Sequence, residues 1–206
     1  MEDRLIENKA FRVILMGVEE IVGKNALKSL LNYSGLTQYI DNIPPNNDKK
    51  ESTCISETAK LDEAIEEIFG EKGARAILFQ VGRMQAKYGL DENPDIARQA
   101  LESMTGMSEP ERARIILNYT ADTISKQFDT ESWIEEEEGS FLYKDKAGTH
   151  CFGRKADFPV CHTTAGFLGG LVTWAVGSNG WKVQETTCMA MGEPYCAFRI
   201  YKETAE

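Results

Sequence analysis

The sequence lacks most of the motifs that mark enzymes. It has only two histidines in 206 residues, His150 and His162, so a catalytic site built on histidine would have few parts. It contains no Gly-x-x-x-x-Gly-Lys-Ser/Thr phosphate loop, no Gly-x-Gly-x-x-Gly after a strand and no Gly-x-Ser-x-Gly nucleophile elbow. These absences argue against a nucleotide hydrolase, an enzyme with its own nicotinamide or flavin site, and a serine hydrolase.

The chain also lacks positive charge and long hydrophobic runs. Its net charge is −10 and its pI is near 4.9, which argues against nonspecific nucleic-acid binding and polybasic membrane contacts. The charged stretch that follows residues 1–4 is not typical of a signal peptide. Five cysteines, an odd number, therefore predict a cytoplasmic protein with free thiols or a metal rather than disulfides.

The pattern of hydrophobic residues divides the chain into two parts. Residues 1–128 show helical spacing, and residues 129–206 contain short strand-like pieces and most of the cysteines. The sequence therefore predicts an α+β fold in which N-terminal helices pack with a C-terminal antiparallel sheet. We expect one domain over residues 1–206.

Turn formers and helix caps subdivide these parts. Gly23 and Gly70 interrupt helical patterns, residues 41–53 form a loop, and Ser108 predicts the start of a helix that runs to about Phe128. Gly82 lies inside a helical pattern, where close packing of another helix, or less readily the approach of a flat ligand, would explain it. Three strand-like pieces follow, around residues 133–134, 141–143 and 150–152, with a turn over residues 144–148.

The last quarter of the chain has the most distinctive pattern. Residues 163–176 predict a helix with three internal glycines, which suggests a closely approaching neighbour. A strand over residues 181–188 and a returning strand over residues 195–201 flank a turn at Gly192. In such a hairpin Cys188 and Cys196 lie roughly opposite each other.

Two facing thiols form either a disulfide or part of a metal site, and a tetrahedral zinc needs two more donors. Cys161 at the start of the helix supplies one. Glu185 reaches the site only through a bulge or twist, because positions three apart on a regular strand face opposite sides. His162 and His150 are competing fourth ligands, and small buried thiols without a metal are the structural alternative.

This segment resembles the vinyl-4-reductase (V4R) domain family. The resemblance rests on residues 158–162, 164–168, 185–188 and 192–196. It implies a structural zinc held by Cys161, Glu185, Cys188 and Cys196, a fold shared distantly with subunits of TRAPP tethering particles, and an apolar pocket. It also implies a homodimer, for which residues 11–22 offer an apolar contact.

Because the sequence contains few of the motifs that mark enzymes, it predicts a binding protein for a hydrophobic small molecule. The predicted ligand contacts are aromatic residues in or near the β-rich part, although each could equally be a plain core residue: Trp133, Phe141, Tyr143, Phe152 and Trp174. The family context favours a carrier of a chlorophyll-type tetrapyrrole or its precursor that acts with photosynthetic assembly proteins. The alternatives are a sensor of small aromatic compounds and a tetrapyrrole vinyl reductase that needs an external electron donor.

Overall fold

The computed structural model describes residues 3–51 and 53–203. Within these residues the helices, in chain order, are α1 (Asn8–Val22), α2 (Lys24–Tyr33), α3 (Ile55–Glu92), α4 (Pro94–Ser103), α5 (Glu109–Phe128) and α6 (His162–Val176). The strands are β1 (Ser132–Glu137), β2 (Ser140–Asp145), β3 (Trp181–Thr187) and β4 (Cys196–Lys202). This order confirms the predicted α+β class.

Glycines set two of the helix boundaries. Gly23 separates α1 from α2 with a φ of 86°, and Gly70 breaks the long helix α3 with a φ of 73°. Positive φ values of this kind are favourable for glycine because it has no Cβ. Both interruptions were predicted from the sequence, and the structure confirms them.

The start of α5 follows its predicted capping signal. Ser108 precedes the first helical residue in extended conformation. The Glu111 carboxylate accepts hydrogen bonds from the backbone N and the Oγ of Ser108, at 2.8 and 2.7 Å. The Ser108 side chain in turn accepts from the backbone N of Glu111, and this capping box satisfies groups that a helix N-terminus otherwise leaves without partners.

The four strands form one antiparallel sheet in the order β1-β2-β4-β3. β4, the last strand in sequence, therefore lies in the middle of the sheet beside β2. The pairing of β3 with β4 is regular from Trp181 to Glu185 and then shifts between Glu185 and Thr187. Such a shift is a β-bulge, which redirects side chains at the end of a strand.

One predicted strand is wrong. Residues 150–152 form a turn, in which the backbone N of Cys151 donates to Gly148 O at 3.2 Å. The Asp145 carboxylate accepts a bond from Ala147 N at 2.9 Å and ends β2 at that point. The turn predicted over residues 144–148 therefore leads into a loop rather than into a second strand.

Two hydrophobic clusters fill the described part of the fold. One lies among α1, α2 and the first part of α3, and the other lies among α5, α6 and the sheet. Three apolar side chains of α1, Phe11, Leu15 and Val18, are fully buried in the first cluster. They are therefore engaged inside the chain and are not available for the dimer contact suggested for residues 11–22.

Helices α3 and α6 join the two clusters and approach each other very closely. A Cβ placed on Gly82 of α3 would lie 1.9 Å from Thr163 O, and one on Gly166 of α6 would lie 1.9 Å from Phe79 O. Only glycine fits where two backbones come this near. The structure thus confirms the close neighbour that the sequence predicted at these glycines.

No helix within the described ranges combines the length and the hydrophobicity needed to span a membrane.

Candidate metal centre and ligand cavity

Four cysteine side chains meet between the start of α6 and the β3–β4 hairpin. Cys161 directly precedes α6, Cys188 directly follows β3, and Cys196 begins β4. Cys151 comes from the turn after β2. All four are buried, and their Sγ atoms all lie within 4.8 Å of one another.

The distances within this cysteine cluster fit a single metal ion. The Sγ–Sγ separations are 3.5 Å for Cys151–Cys196, 3.6 Å for Cys161–Cys196, 3.7 Å for Cys161–Cys188 and 3.9 Å for Cys188–Cys196. They are far longer than a disulfide bond of about 2.05 Å, and all four thiols are free. Four sulfurs at about 2.3 Å around a tetrahedral zinc would be about 3.8 Å apart. The cluster could therefore hold a metal ion of this size.

Glu185 lies beside the cysteine cluster. Its Oε2 accepts a hydrogen bond from the backbone N of Cys161 at 2.8 Å. Its Oε1 is buried and has no hydrogen-bond partner in the part of the chain that the structure describes. The bulge in β3 follows Glu185 directly, at the place where the sequence required a departure from regular alternation.

Burial and the neighbouring thiols shift the pKa values of this site. Hydrogen bonds from Cys151, then from Cys161 and Cys196, lower the pKa of the Cys188 thiol. The hydrogen bond with Cys151 is the largest of the causes that raise the pKa of Cys161 and of Cys196. Among Cys161, Cys188 and Cys196, Cys188 is therefore the thiol whose ionised form its neighbours favour, and a bound cation would favour the thiolate form of its ligands through its own charge.

The pKa of Glu185 is raised to about 9, first by burial and then by the negative charge of Cys188. A carboxyl group in this setting is neutral near pH 7, and only an added positive charge would favour its ionised form.

The donor set predicted from the sequence and the observed cysteine cluster share Cys161, Cys188 and Cys196. They differ in the fourth donor, which is Glu185 in the prediction and Cys151 in the cluster. The sequence reasoning missed Cys151 because it lies in a turn, where no strand or helix period relates it to the other thiols. The one signal in the sequence was that Cys151 is a further thiol, a soft metal donor, shortly before Cys161.

The two histidines that the sequence offered as competing metal ligands lie outside the cysteine cluster. The Nδ1 of His150 lies 2.7 Å from Asp62 Oδ2. The Nε2 of His162 is buried without a hydrogen-bond partner among the described residues, and burial lowers the pKa of this ring. Neither side chain belongs to the cysteine cluster.

A cavity of about 290 Å³ lies between the N-terminal helices and the β-rich part. Its walls come from α1, α3, α5, α6, β2 and the turn after β2. Most of the apolar wall consists of these residues: Ile6, Ala10, Val13, Ile14, Ile124, Phe128, Tyr143, Ala147, Phe167 and Leu168. We call this space the ligand cavity.

Of the five aromatic residues predicted to contact a ligand, Tyr143 lines the ligand cavity. Phe141 stacks on Trp181 in the core, with ring centroids 6.1 Å apart. Trp133 packs edge-on against Tyr195 at the outer side of the sheet.

The other two predicted contacts also lie elsewhere. Phe152 packs against the hydrophobic cluster among α1, α2 and the first part of α3. Trp174 lines a separate groove between α3, α4 and α6. The sequence could not rank the five, because the cavity is assembled from segments that are far apart in the chain.

The V4R domain family model matches residues 146–202, a range that contains all four clustered cysteines. A comparison with curated protein sequences gives no match.

Several solved structures share the fold. The phenol-responsive sensory domain of the transcription activator PoxR, in complex with phenol, is 18% identical, with a TM-score of 0.50 over 75% of this chain and 78% of that chain. An H-NOX protein from S. oneidensis in its Fe(II)NO state is 13% identical, with a TM-score of 0.55 over 94% of this chain and 99% of that chain. An H-NOX structure used to probe haem distortion is 12% identical, with a TM-score of 0.61 over 97% of this chain and 96% of that chain.

Proposed function

We propose that this chain, whose residues 146–202 match the V4R domain family model, is a non-catalytic binding protein that senses or carries a hydrophobic small molecule. The observation that carries the proposal is the ligand cavity, whose wall is apolar over most of its surface and also includes polar and charged side chains. That composition is typical of small-molecule sites. The missing catalytic motifs agree with a role in binding.

The size of the ligand cavity favours a small aromatic compound. An apolar cavity of about 150 Å³ is enough to hold a benzene ring. The ligand cavity, at about 290 Å³, therefore has room for one or two rings. Phe128, Tyr143 and Phe167 offer aromatic surfaces in its wall.

A tetrapyrrole carrier is the second candidate. It is favoured by the likeness in fold to H-NOX structures over almost the whole chain. A macrocycle of four rings needs more room than the present walls leave, so α1 or α6 would have to move outward. The chlorophyll-type ligand, the photosynthetic assembly partners, the homodimer and the cytoplasmic location stay predictions.

The metal is proposed to be a structural zinc held by Cys151, Cys161, Cys188 and Cys196. Four protein donors leave no open position for catalysis, and such sites contribute directly to folding. Here the donors connect the turn after β2, the start of α6 and the β3–β4 hairpin. Cys151 is adjacent to Thr149 and His150 of the cavity wall, so the metal would hold part of that wall in place.

Filling the ligand cavity tests the proposed function. Ala10 contributes to the cavity wall from α1, and an Ala10→Phe substitution places a ring in the space proposed for the ligand. We expect phenol or toluene to bind at least about tenfold more weakly to this variant, a loss of about 1.4 kcal/mol. Isothermal titration calorimetry measures the change.

The matched control is Ala76→Phe, the same change at an exposed position of α3. It should leave binding unchanged. Equal affinity of the Ala10→Phe variant and the unaltered protein would mean that the ligand lies outside this cavity.

A further inference from the structure

One polar side chain in the wall of the ligand cavity is fixed by several contacts. His150 lines the cavity, and its side chain is only 8% exposed. Its Nδ1 lies 2.7 Å from Oδ2 of Asp62, a residue of α3 that is completely buried. A buried carboxyl group is costly unless it is hydrogen-bonded, and this short contact fixes the orientation of the ring.

A second set of contacts holds the backbone of the same residue. Arg154 donates from Nη1 to His150 O at 3.5 Å and from Nη2 to Glu66 Oε2 at 2.8 Å. Asp62 and Glu66 are four residues apart on α3 and therefore lie on one face of that helix. The ring and the backbone of His150 are thus both anchored to the same helix face.

These contacts use one of the two ring nitrogens. No hydrogen bond joins Nε2 of His150 to any residue in the ranges 3–51 and 53–203. A neutral ring with hydrogen on Nδ1 presents an acceptor at Nε2, and a protonated ring presents a donor there. A hydroxyl group can satisfy either form, because it both donates and accepts.

We propose that His150, oriented by Asp62, is the polar recognition element of the ligand cavity and binds the hydroxyl group of a small phenol-type aromatic ligand. The aromatic ring then occupies the apolar space beside Phe167 and Phe128. This inference rests on the proposed function, and it adds the ligand class, the recognition residue and a positioning role for Asp62.

The test compares two ligands that differ in the hydroxyl group. Phenol and toluene are titrated into the metal-loaded protein and into a His150→Phe variant. We expect the preference for phenol, expressed as the ratio of the two dissociation constants, to fall at least about tenfold in the variant, the effect of one lost hydrogen bond. Toluene affinity should change by less than about threefold, because the apolar walls remain.

Three further variants separate recognition from folding. His150→Gln retains a polar atom near the position of Nε2 and should recover part of the preference. Thr123→Val removes a hydroxyl group at an exposed position of α5, outside the cavity wall, and should leave the preference intact. Because His150→Phe leaves the buried Asp62 with only the 3.4 Å contact from Thr163 Oγ1, the double variant His150→Phe/Asp62→Leu removes both groups and should lose the preference with a higher melting temperature than the single variant.

The outcomes distinguish this inference from the proposed function. If both ligands bind and the ratio is unchanged in His150→Phe, the role of His150 is refuted while the cavity remains the binding site. If neither ligand binds to the folded, metal-loaded protein, the small-aromatic function itself is refuted. Haemin binding with a Soret band that depends on His150 would also overturn the inference, because the ring would then serve as an axial ligand.

Discussion

Replacement of Cys188 by serine is expected to remove the bound zinc and to lower the melting temperature by about 6–12 °C. A lost donor should weaken the metal site at least about 100-fold, or about 3 kcal/mol, and each kcal/mol shifts the melting temperature of a chain of this size by about 2–4 °C. Cys188 is fully buried and lies within 4 Å of two other thiols. Metal content by mass spectrometry and thermal unfolding measure both effects.

The control for this prediction is Cys54→Ser. Cys54 is a free thiol outside the cysteine cluster, at the residue that precedes α3. Serine is a favourable residue at that position, so we expect full zinc content and a melting temperature within about 2 °C. Zinc retention and unchanged stability in Cys188→Ser would remove Cys188 from the site.

The fourth donor is decided by a pair of variants. In a four-thiol site, Cys151→Ser should lose zinc as completely as Cys188→Ser. Glu185→Gln should retain one zinc per chain with an affinity about 10–100-fold lower, because Glu185 then supports the ligand loop through Cys161 N. The reverse ranking would establish Glu185 as the fourth ligand, as the resemblance implied.

Replacement of Gly82 by alanine is expected to destabilise the fold by at least about 3 kcal/mol, one of the larger effects of a single substitution. The added Cβ would lie 1.9 Å from Thr163 O and 2.6 Å from Phe167 N. Both atoms are backbone, so no side chain can turn aside to relieve the overlap. Helices α3 and α6 would have to separate, and the contact between the two hydrophobic clusters would open.

Gly89→Ala provides the control in the same helix. A Cβ on Gly89 has no neighbouring atom within 4 Å, and alanine favours the helix by about 0.5–1 kcal/mol over glycine. We therefore expect this variant to be as stable as the original chain or slightly more stable in urea unfolding. A Gly82→Ala variant as stable as Gly89→Ala would contradict the close approach of α3 and α6.

Local sequence signals predicted most of the fold because they describe local causes. Helical spacing and capping placed the long helices, and Gly23, Gly70 and Gly192 marked turns that need positive φ. The internal glycine Gly166 indicated a close neighbour before the neighbour was known. In each case a single residue type has a strong conformational or steric preference that the surrounding chain does not override.

The site depends on contacts between distant segments, and these were only partly predictable. Cys161, Cys188 and Cys196 were found together because a helix start and a hairpin relate them. Cys151 was not placed with them, because it lies in a turn that was predicted as a strand. Asp62 is one acidic residue among many on α3, and nothing in its local sequence indicates a contact with His150, 88 residues away.

A nuclear magnetic resonance titration of the ¹⁵N-labelled, metal-loaded protein with phenol tests the central claim most directly. We predict saturable amide shifts at residues around the ligand cavity, including Gln85, Thr149 and Thr164, with little change near the groove beside Trp174. No saturable shift at millimolar phenol, or shifts confined to that groove, would contradict the assignment of this cavity as the binding site.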